Sequence, residues 1–163
     1  MSLQTLWHTN LNQSDITADT MSELDSFKYK TTIETRFADF DMMGHVNNSV
    51  YFSYMEIGRI KYWKQAIHWD WKKTGVVIAK ASINYIVPIF VEDKVQMYIR
   101  TSRMGNSSFD LQYLIVKLVQ GKEVVCSKGM TTCVAFDYET KKTTPIPKTE
   151  RAKMIAFEQL ENI

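Results

Sequence analysis

D-F-D-M-M-G-H-V-N-N-S-V-Y-F-S-Y-M-E-I-G-R, residues 39–59, is the stretch whose reading decides the fold. Two acids, a glycine, a histidine and two asparagines crowd into its polar first part. Before it, Lys28 to Phe37, K-Y-K-T-T-I-E-T-R-F, alternates as a strand does. After it, Ser49 or Asn48 can cap a helix that runs to about Ile67. Tyr51, Tyr54, Met55, Gly58, Tyr62 and Trp63 fall at helical spacing, which predicts a mostly buried helix whose aromatic stripe is core packing. Gly58 inside that helix costs about 1 kcal/mol relative to Ala. Close approach of a strand or of another subunit explains it most simply.

A carboxylate carried by a loop to the open N-terminus of a buried helix suits chemistry at an acyl carbonyl. The helix end offers backbone N–H groups and positive partial charge to an oxyanion. The acid can attack the carbonyl carbon or activate water. The same residue types also build ordinary turns and caps, so the loop alone does not decide between chemistry and structure.

The rest of the chain is rich in strands. V-V-I-A-K-A-S-I-N-Y-I-V, K-V-Q-M-Y-I-R-T-S-R, S-F-D-L-Q-Y-L-I-V-K-L-V and E-V-V-C-S-K-G-M-T-T-C-V-A-F-D-Y predict four long ones, broken at Pro88, at M-G-N-S and at Gln120 to Lys122. Lys148 to Leu160 reads as a closing helix, with Thr149 as a candidate cap and Glu150 in its first turn. One long helix followed by antiparallel strands argues an α+β fold. Residues 1–27 read as an extension with helical hints only around Met21 to Ser26, and residues 28–163 as a single domain.

Composition narrows the function. A chain of 163 residues with 45% hydrophobic content can bury a single core. A formal net charge of +2 gives no reason to expect nucleic acid or an anionic membrane as partner. No apolar run approaches the ~20 residues that span a bilayer. The start M-S-L-Q-T-L-W-H-T-N lacks the basic and apolar regions of a secretory signal, so the expectation is cytoplasmic. Cys126 and Cys133 fall at an odd separation in one predicted strand, which predicts opposite faces and no disulfide. His8, His45 and His68 are scattered, and no metal or cofactor is expected. The G-x-S-x-G elbow of serine hydrolases is absent, so acyl hydrolysis here would have to rest on a carboxylate.

In order and spacing, the R-F-A-D-F-D-M-M-G-H-V-N-N-S-V-Y-F segment with Glu56 and Arg59 resembles the hotdog-fold acyl-CoA thioesterases of the 4-hydroxybenzoyl-CoA thioesterase-like group. The resemblance continues through S-I-N-Y-I-V-P-I-F-V-E-D-K-V, R-M-G-N-S-S-F and F-D-Y-E-T-K-K-T-T-P-I-P, covering most of Thr31 to Pro147. It implies a curved antiparallel sheet wrapped around one long helix. It also implies Asp41 as nucleophile or general base, Gly44 in the turn, and Asn48 presenting its N–H to the thioester carbonyl. His45 and Asn47 match the G-H-x-N element. Related plant acyl-carrier-protein thioesterases carry an asparagine two residues after the aspartate, where this chain has Met43. His45 is therefore either a catalytic or a turn-stabilising residue. Glu56 lies where another branch carries its acid, with an ion pair to Arg59 as its structural reading. Asp39 reads as a turn residue.

The resemblance further implies an acyl-CoA substrate met by Asn47, Tyr51, Arg103, Ser107 and Ser108, with Lys80, Arg100 and Lys128 as weaker basic candidates. It implies a homodimer with sheets joined edge to edge, or a homotetramer. A non-catalytic acyl-thioester binder and an acyl-carrier-protein thioesterase are the alternatives on the same fold.

Overall fold

The computed structural model describes residues 18–160. Helix α1 (Ala18–Asp25) precedes strand β1 (Tyr29–Ile33), a 3-10 turn (Phe37–Asp39) and the polar loop. Helix α2 (Val50–Tyr62) follows and continues through a wider π turn, Trp63–Ile67. Then come β2 (Thr74–Tyr85), β3 (Val95–Met104), β4 (Ser108–Val119), β5 (Lys122–Asp137), short β6 (Lys142–Thr143) and helix α3 (Lys148–Glu158). The strands pair antiparallel in the order β1-β3-β4-β5-β2, with β6 on the end of β5. The sheet curls around α2, which is the α+β hotdog arrangement that the resemblance implies. No helix among the described residues is long and apolar enough to cross a membrane.

The sheet's inner face and α2 form the main core. Tyr51, Tyr54, Met55 and Tyr62 of α2 pack against Met97, Ile99, Phe109, Leu111, Tyr113 and Ile115. Gly58 faces β3 so closely that an added Cβ would stand 2.4 Å from Met97 Sδ and 2.9 Å from Ile99 Cδ1. The strand, then, accounts for the glycine that helix propensity disfavours. Strand β4 begins by alternating and then buries every residue from Tyr113 to Lys117. Its outer face is covered as well: Leu114 and Val116 pack with Val125 beneath Leu24 and Phe27, at and just after the end of α1. Glu23 pairs with Lys128 at 2.6 Å, and the Arg100 guanidinium lies 4.6 Å from the Phe27 ring. Residues 1–17 of the expected extension lie outside the described residues.

Two local expectations are corrected. Cys126 and Cys133 belong to the same core cluster, because the register against β4 slips between Ile115 and Val116 and makes Cys126 an extra residue in a bulge. Both thiols are free, and burial pushes them up to about 12 and about 11. Thr149 does not cap α3, which starts at Lys148 with Pro147 in the capping position and no side-chain cap bond. Glu150 does lie in its first turn, bonded to Lys153 at 3.0 Å.

The Gly58 contact gives a test. Gly58→Val drives a branched side chain into Met97 and Ile99, and is expected to lower stability by about 2 kcal/mol. A shift of the urea midpoint to lower concentration with an unchanged slope would show it; an unshifted midpoint would refute the close approach.

Candidate active site

The loop between β1 and α2 is built on a buried carboxylate. Asp39 is 1% exposed. Its Oδ2 accepts from the Arg36 backbone N–H and from Tyr54 Oη, both at 2.8 Å, and its Oδ1 accepts from Arg36 Nε and Nη2 at 3.1 and 2.8 Å. Its carbonyl accepts the Asn47 N–H at 2.9 Å. One residue thus ties the 3-10 turn, the loop's far end and the second turn of α2 together. Burial alone would raise this carboxyl. The hydrogen bonds from Arg36 and Tyr54 outweigh it and hold the group below its ordinary value.

Two residues later Asp41 is exposed. Its Oδ1 accepts the N–H of Met43 at 2.8 Å and of His45 at 3.2 Å, and its own N–H donates to the His45 carbonyl at 2.8 Å. Gly44 closes this turn at φ +76°, in the left-handed region that favours glycine. Asp41 Oδ2 makes no hydrogen bond among the described residues. One oxygen therefore shapes the loop and the other stays open to a ligand.

The loop docks on the segment after β2. Val46 donates to the Ile89 carbonyl at 2.9 Å, and His45 bridges Phe90, their rings meeting edge to face at 4.8 Å. At the helix start Asn47 Oδ1 accepts the Ser49 N–H at 3.0 Å and its Oγ at 2.9 Å. Asn47 and not Ser49 is the capping side chain, since Ser49 makes no side-chain cap bond. Asn48 Oδ1 also accepts from the Ser49 N–H, and the Asn48 carbonyl accepts Tyr85 Oη at 2.8 Å. The Asn48 N–H makes no hydrogen bond among the described residues.

These residues line a hollow of about 350 Å³, with Asp41, His45, Asn48 and Tyr51 on one side and Tyr85 to Pro88 on the other. Sequence reasoning missed the Tyr85–Pro88 wall. The Pro88 break beside exposed Tyr85 and Ile86 was the signal available for it. Glu56 lies off the hollow, on the exposed side of α2 some ~12 Å along the axis from Asn48. Glu56 forms no ion pair among the described residues; Arg59 lies over the Trp63 ring at 5.6 Å instead. Arg103, Ser107 and Ser108 sit at the β3–β4 turn. Along β4, Ser108 is ~24 Å from Ile115, the residue level with Tyr85 across the sheet. One protomer therefore does not bring them to the hollow. Arg103 is paired with Asp110 at 2.6 Å. Lys80 is exposed on β2, while Arg100 and Lys128 hold the N-terminal segment. No group of three or more His, Cys, Asp or Glu among the described residues is placed to hold a metal ion.

Residues 35–154 match the model of the thioesterase-like superfamily. The chain belongs to that superfamily. It is 30% identical over 131 residues to the uncharacterized protein YsmA of Bacillus subtilis, covering 80% of this chain and 87% of that one. A Thermus thermophilus thioesterase, solved in complex with coenzyme A and Zn, is 32% identical with a TM-score of 0.72, over 85% of this chain and 99% of that chain. A DHNA-CoA thioesterase from Staphylococcus aureus is 19% identical, shares the fold with a TM-score of 0.69, and is matched over 82% of this chain and 95% of its own. Superfamily membership supports thioester hydrolysis as the activity of the chain.

Asp39 and Asp41 thus divide structure from exposure. Because the folded-state value of Asp39 is lowered, its charge stabilises the fold above its ordinary value of 3.8, and that contribution is lost as pH falls through the lowered value. Asp39→Asn is expected to melt lower at neutral pH and to depend less on pH on the acid side. Thermal melts across that range would check it; parallel pH curves for the two proteins would count against the charged network.

Proposed function

We propose that the chain hydrolyses acyl-CoA thioesters to a free carboxylic acid and CoA. The observation that carries this reading is one hollow lined by both the open Asp41 carboxylate and the unbonded Asn48 N–H at the start of α2. The thioester carbonyl oxygen accepts from that N–H, where the helix dipole favours the charge of a tetrahedral intermediate. Asp41 Oδ2 either takes a proton from a water that attacks the carbonyl carbon, or attacks it directly to form an acyl-aspartyl anhydride that water then hydrolyses. In both, collapse of the tetrahedral intermediate breaks the C–S bond and expels the CoA thiolate. His45 orients the loop through its backbone bonds to Asp41, and Tyr51 floors the hollow. The coenzyme A complex of the Thermus thioesterase supports CoA over an acyl-carrier protein as the thiol carrier.

The working unit in this reading is a homodimer. Strand β2 pairs with β5 on one edge only, and its residues from Val77 to Ser82 are exposed. Exposed Phe37, Met42, Met43, Val77, Ile78 and Ile86 lie along this edge and the loop, more apolar surface than a lone protomer keeps. Antiparallel pairing of two β2 edges brings the start of one β2 beside the end of the other. Val77 is level with Ser108 across the sheet. The partner's β3–β4 turn thereby approaches the Tyr85 end of the first protomer, and Arg103, Ser107 and Ser108 meet the CoA phosphates there.

Light scattering is expected to give twice the chain mass at micromolar concentration; a monomer would remove this geometry. Arg103→Ala should raise KM for CoA esters more than it lowers kcat, and an unchanged KM would take Arg103 out of the site. Asp41→Asn should keep fold and acyl-CoA binding while losing ~10²–10⁴-fold in kcat, with Glu56→Gln much milder. Near-normal turnover by folded Asp41→Asn would transfer the chemistry to Glu56.

A further inference from the structure

Lys117 interrupts the apolar run L-I-V-K-L-V of β4, yet it is 1% exposed. Its ammonium donates to Asp93 Oδ2 at 2.9 Å and to the Pro88 carbonyl at 2.8 Å, and it stands 5.0 Å from the centroid of the Phe90 ring. Each of its three N–H groups can thus be directed at a partner. The Asp93 side chain is 9% exposed, and its Oδ2 also accepts the Phe90 N–H at 2.8 Å. The pair therefore grips Pro88 and Phe90, on either side of Ile89. That segment is the one on which the Asp41 loop docks: Ile89 takes the Val46 N–H, and Phe90 meets His45 by backbone bridge and by ring.

A buried ion pair is a poor way to stabilise a sheet. Desolvation of two charges commonly cancels their attraction, and well-packed apolar residues of similar volume are often no worse. What the pair supplies is direction: hydrogen bonds of defined length onto Pro88 and Phe90, the two residues that flank Ile89 behind the hollow. Pro88 lines the hollow itself, and the Phe90 ring meets both the Lys117 ammonium and the His45 ring.

We propose that Lys117 is a positioning residue which, with Asp93, fixes the Pro88–Phe90 wall and through the Phe90 ring sets His45 and the Asp41 loop against the start of α2. Its catalytic consequence rests on the hydrolysis proposed above; its effect on His45 does not.

Lys117→Met keeps the length and apolar stem and removes the charge. In the full-length protein, folding is checked by melting, KM and kcat are measured with one acyl-CoA turned over by the parent, and the assigned imidazole resonances of His45 are followed by NMR. The expected result is a folded variant with kcat lower by about 10-fold, KM within about 2-fold, and His45 resonances displaced as Phe90 leaves its place. A folded variant with kcat within about 2-fold of the parent, or with unmoved His45 resonances, overturns the proposal. Should Lys117→Met alone not fold, Lys117→Met with Asp93→Asn leaves no uncompensated buried charge and is read by the same two criteria. Should the parent turn over no acyl-CoA, the hydrolase reading fails and the His45 resonances alone decide this one.

Discussion

Everything at the hollow depends on a carboxylate that cannot reach water. Asp39, 1% exposed, would cost several kcal/mol as a buried charge without partners. The chain meets that demand locally, with three donors from Arg36 and one from Tyr54. Because Tyr54 belongs to α2 and Arg36 precedes the 3-10 turn, satisfying one charge fixes where the helix begins relative to the loop. The Asn47 N–H on the Asp39 carbonyl then sets the residue before Asn48. A loop of polar residues would otherwise have many conformations. Here its start, its end and its helix share one anchor, and the exposed Asp41 carboxylate inherits a defined position from its buried neighbour.

Much of this was legible in the chain. The helix from Val50 to Ile67 follows from aromatic spacing, and the four later strands lie within two residues of their observed limits. The first, read to Phe37, ends at Ile33 because the chain turns into the 3-10 segment Phe37–Asp39. The hotdog wrapping came from family resemblance, since no local pattern tells a sheet to curl around its helix. The two acids of D-F-D look alike in sequence: Asp39, read as a turn residue, is the buried one, and Asp41, expected from the resemblance as nucleophile or base, is the exposed one. What was not legible has physical causes. A bulge adds a single residue and reverses the parity by which strand faces are counted, and this carried Cys126 to the core side. Capping by Asn47 in place of Ser49 depends on backbone angles that residue type does not determine. Lys117 was overlooked because a charge inside an apolar strand reads as a solvent-facing interruption unless its partner, twenty-four residues away, is known.

Distance explains why the site residues named from the sequence do not all meet. Asp41, His45, Asn48 and Tyr51 line one hollow, Gly44 and Asn47 shape the loop and helix start beside it, and Glu56 lies off it on the exposed side of α2. Arg103, Ser107 and Ser108 belong to a turn that strand length holds far off. The open sheet has β1 and β2 as its edges, and its two ends would come together only through another copy. The exposed apolar residues of β2 and the loop lie on the side where such a copy would pair.

The outer face of the sheet shows the opposite solution to the same problem. Leu114 and Val116 would make a second apolar surface on the central strand, but Leu24 and Phe27 cover them from within the chain. The Glu23–Lys128 pair and the Arg100 contact with Phe27 hold that cover in place at its polar rim. Such exposed pairs contribute little stability singly and mainly direct where the apolar contact forms. One face of the molecule is thereby closed by its own sequence, while the β2 edge and the loop beside the hollow remain open. Assembly through that edge, as proposed above, would leave both α1 and the core undisturbed.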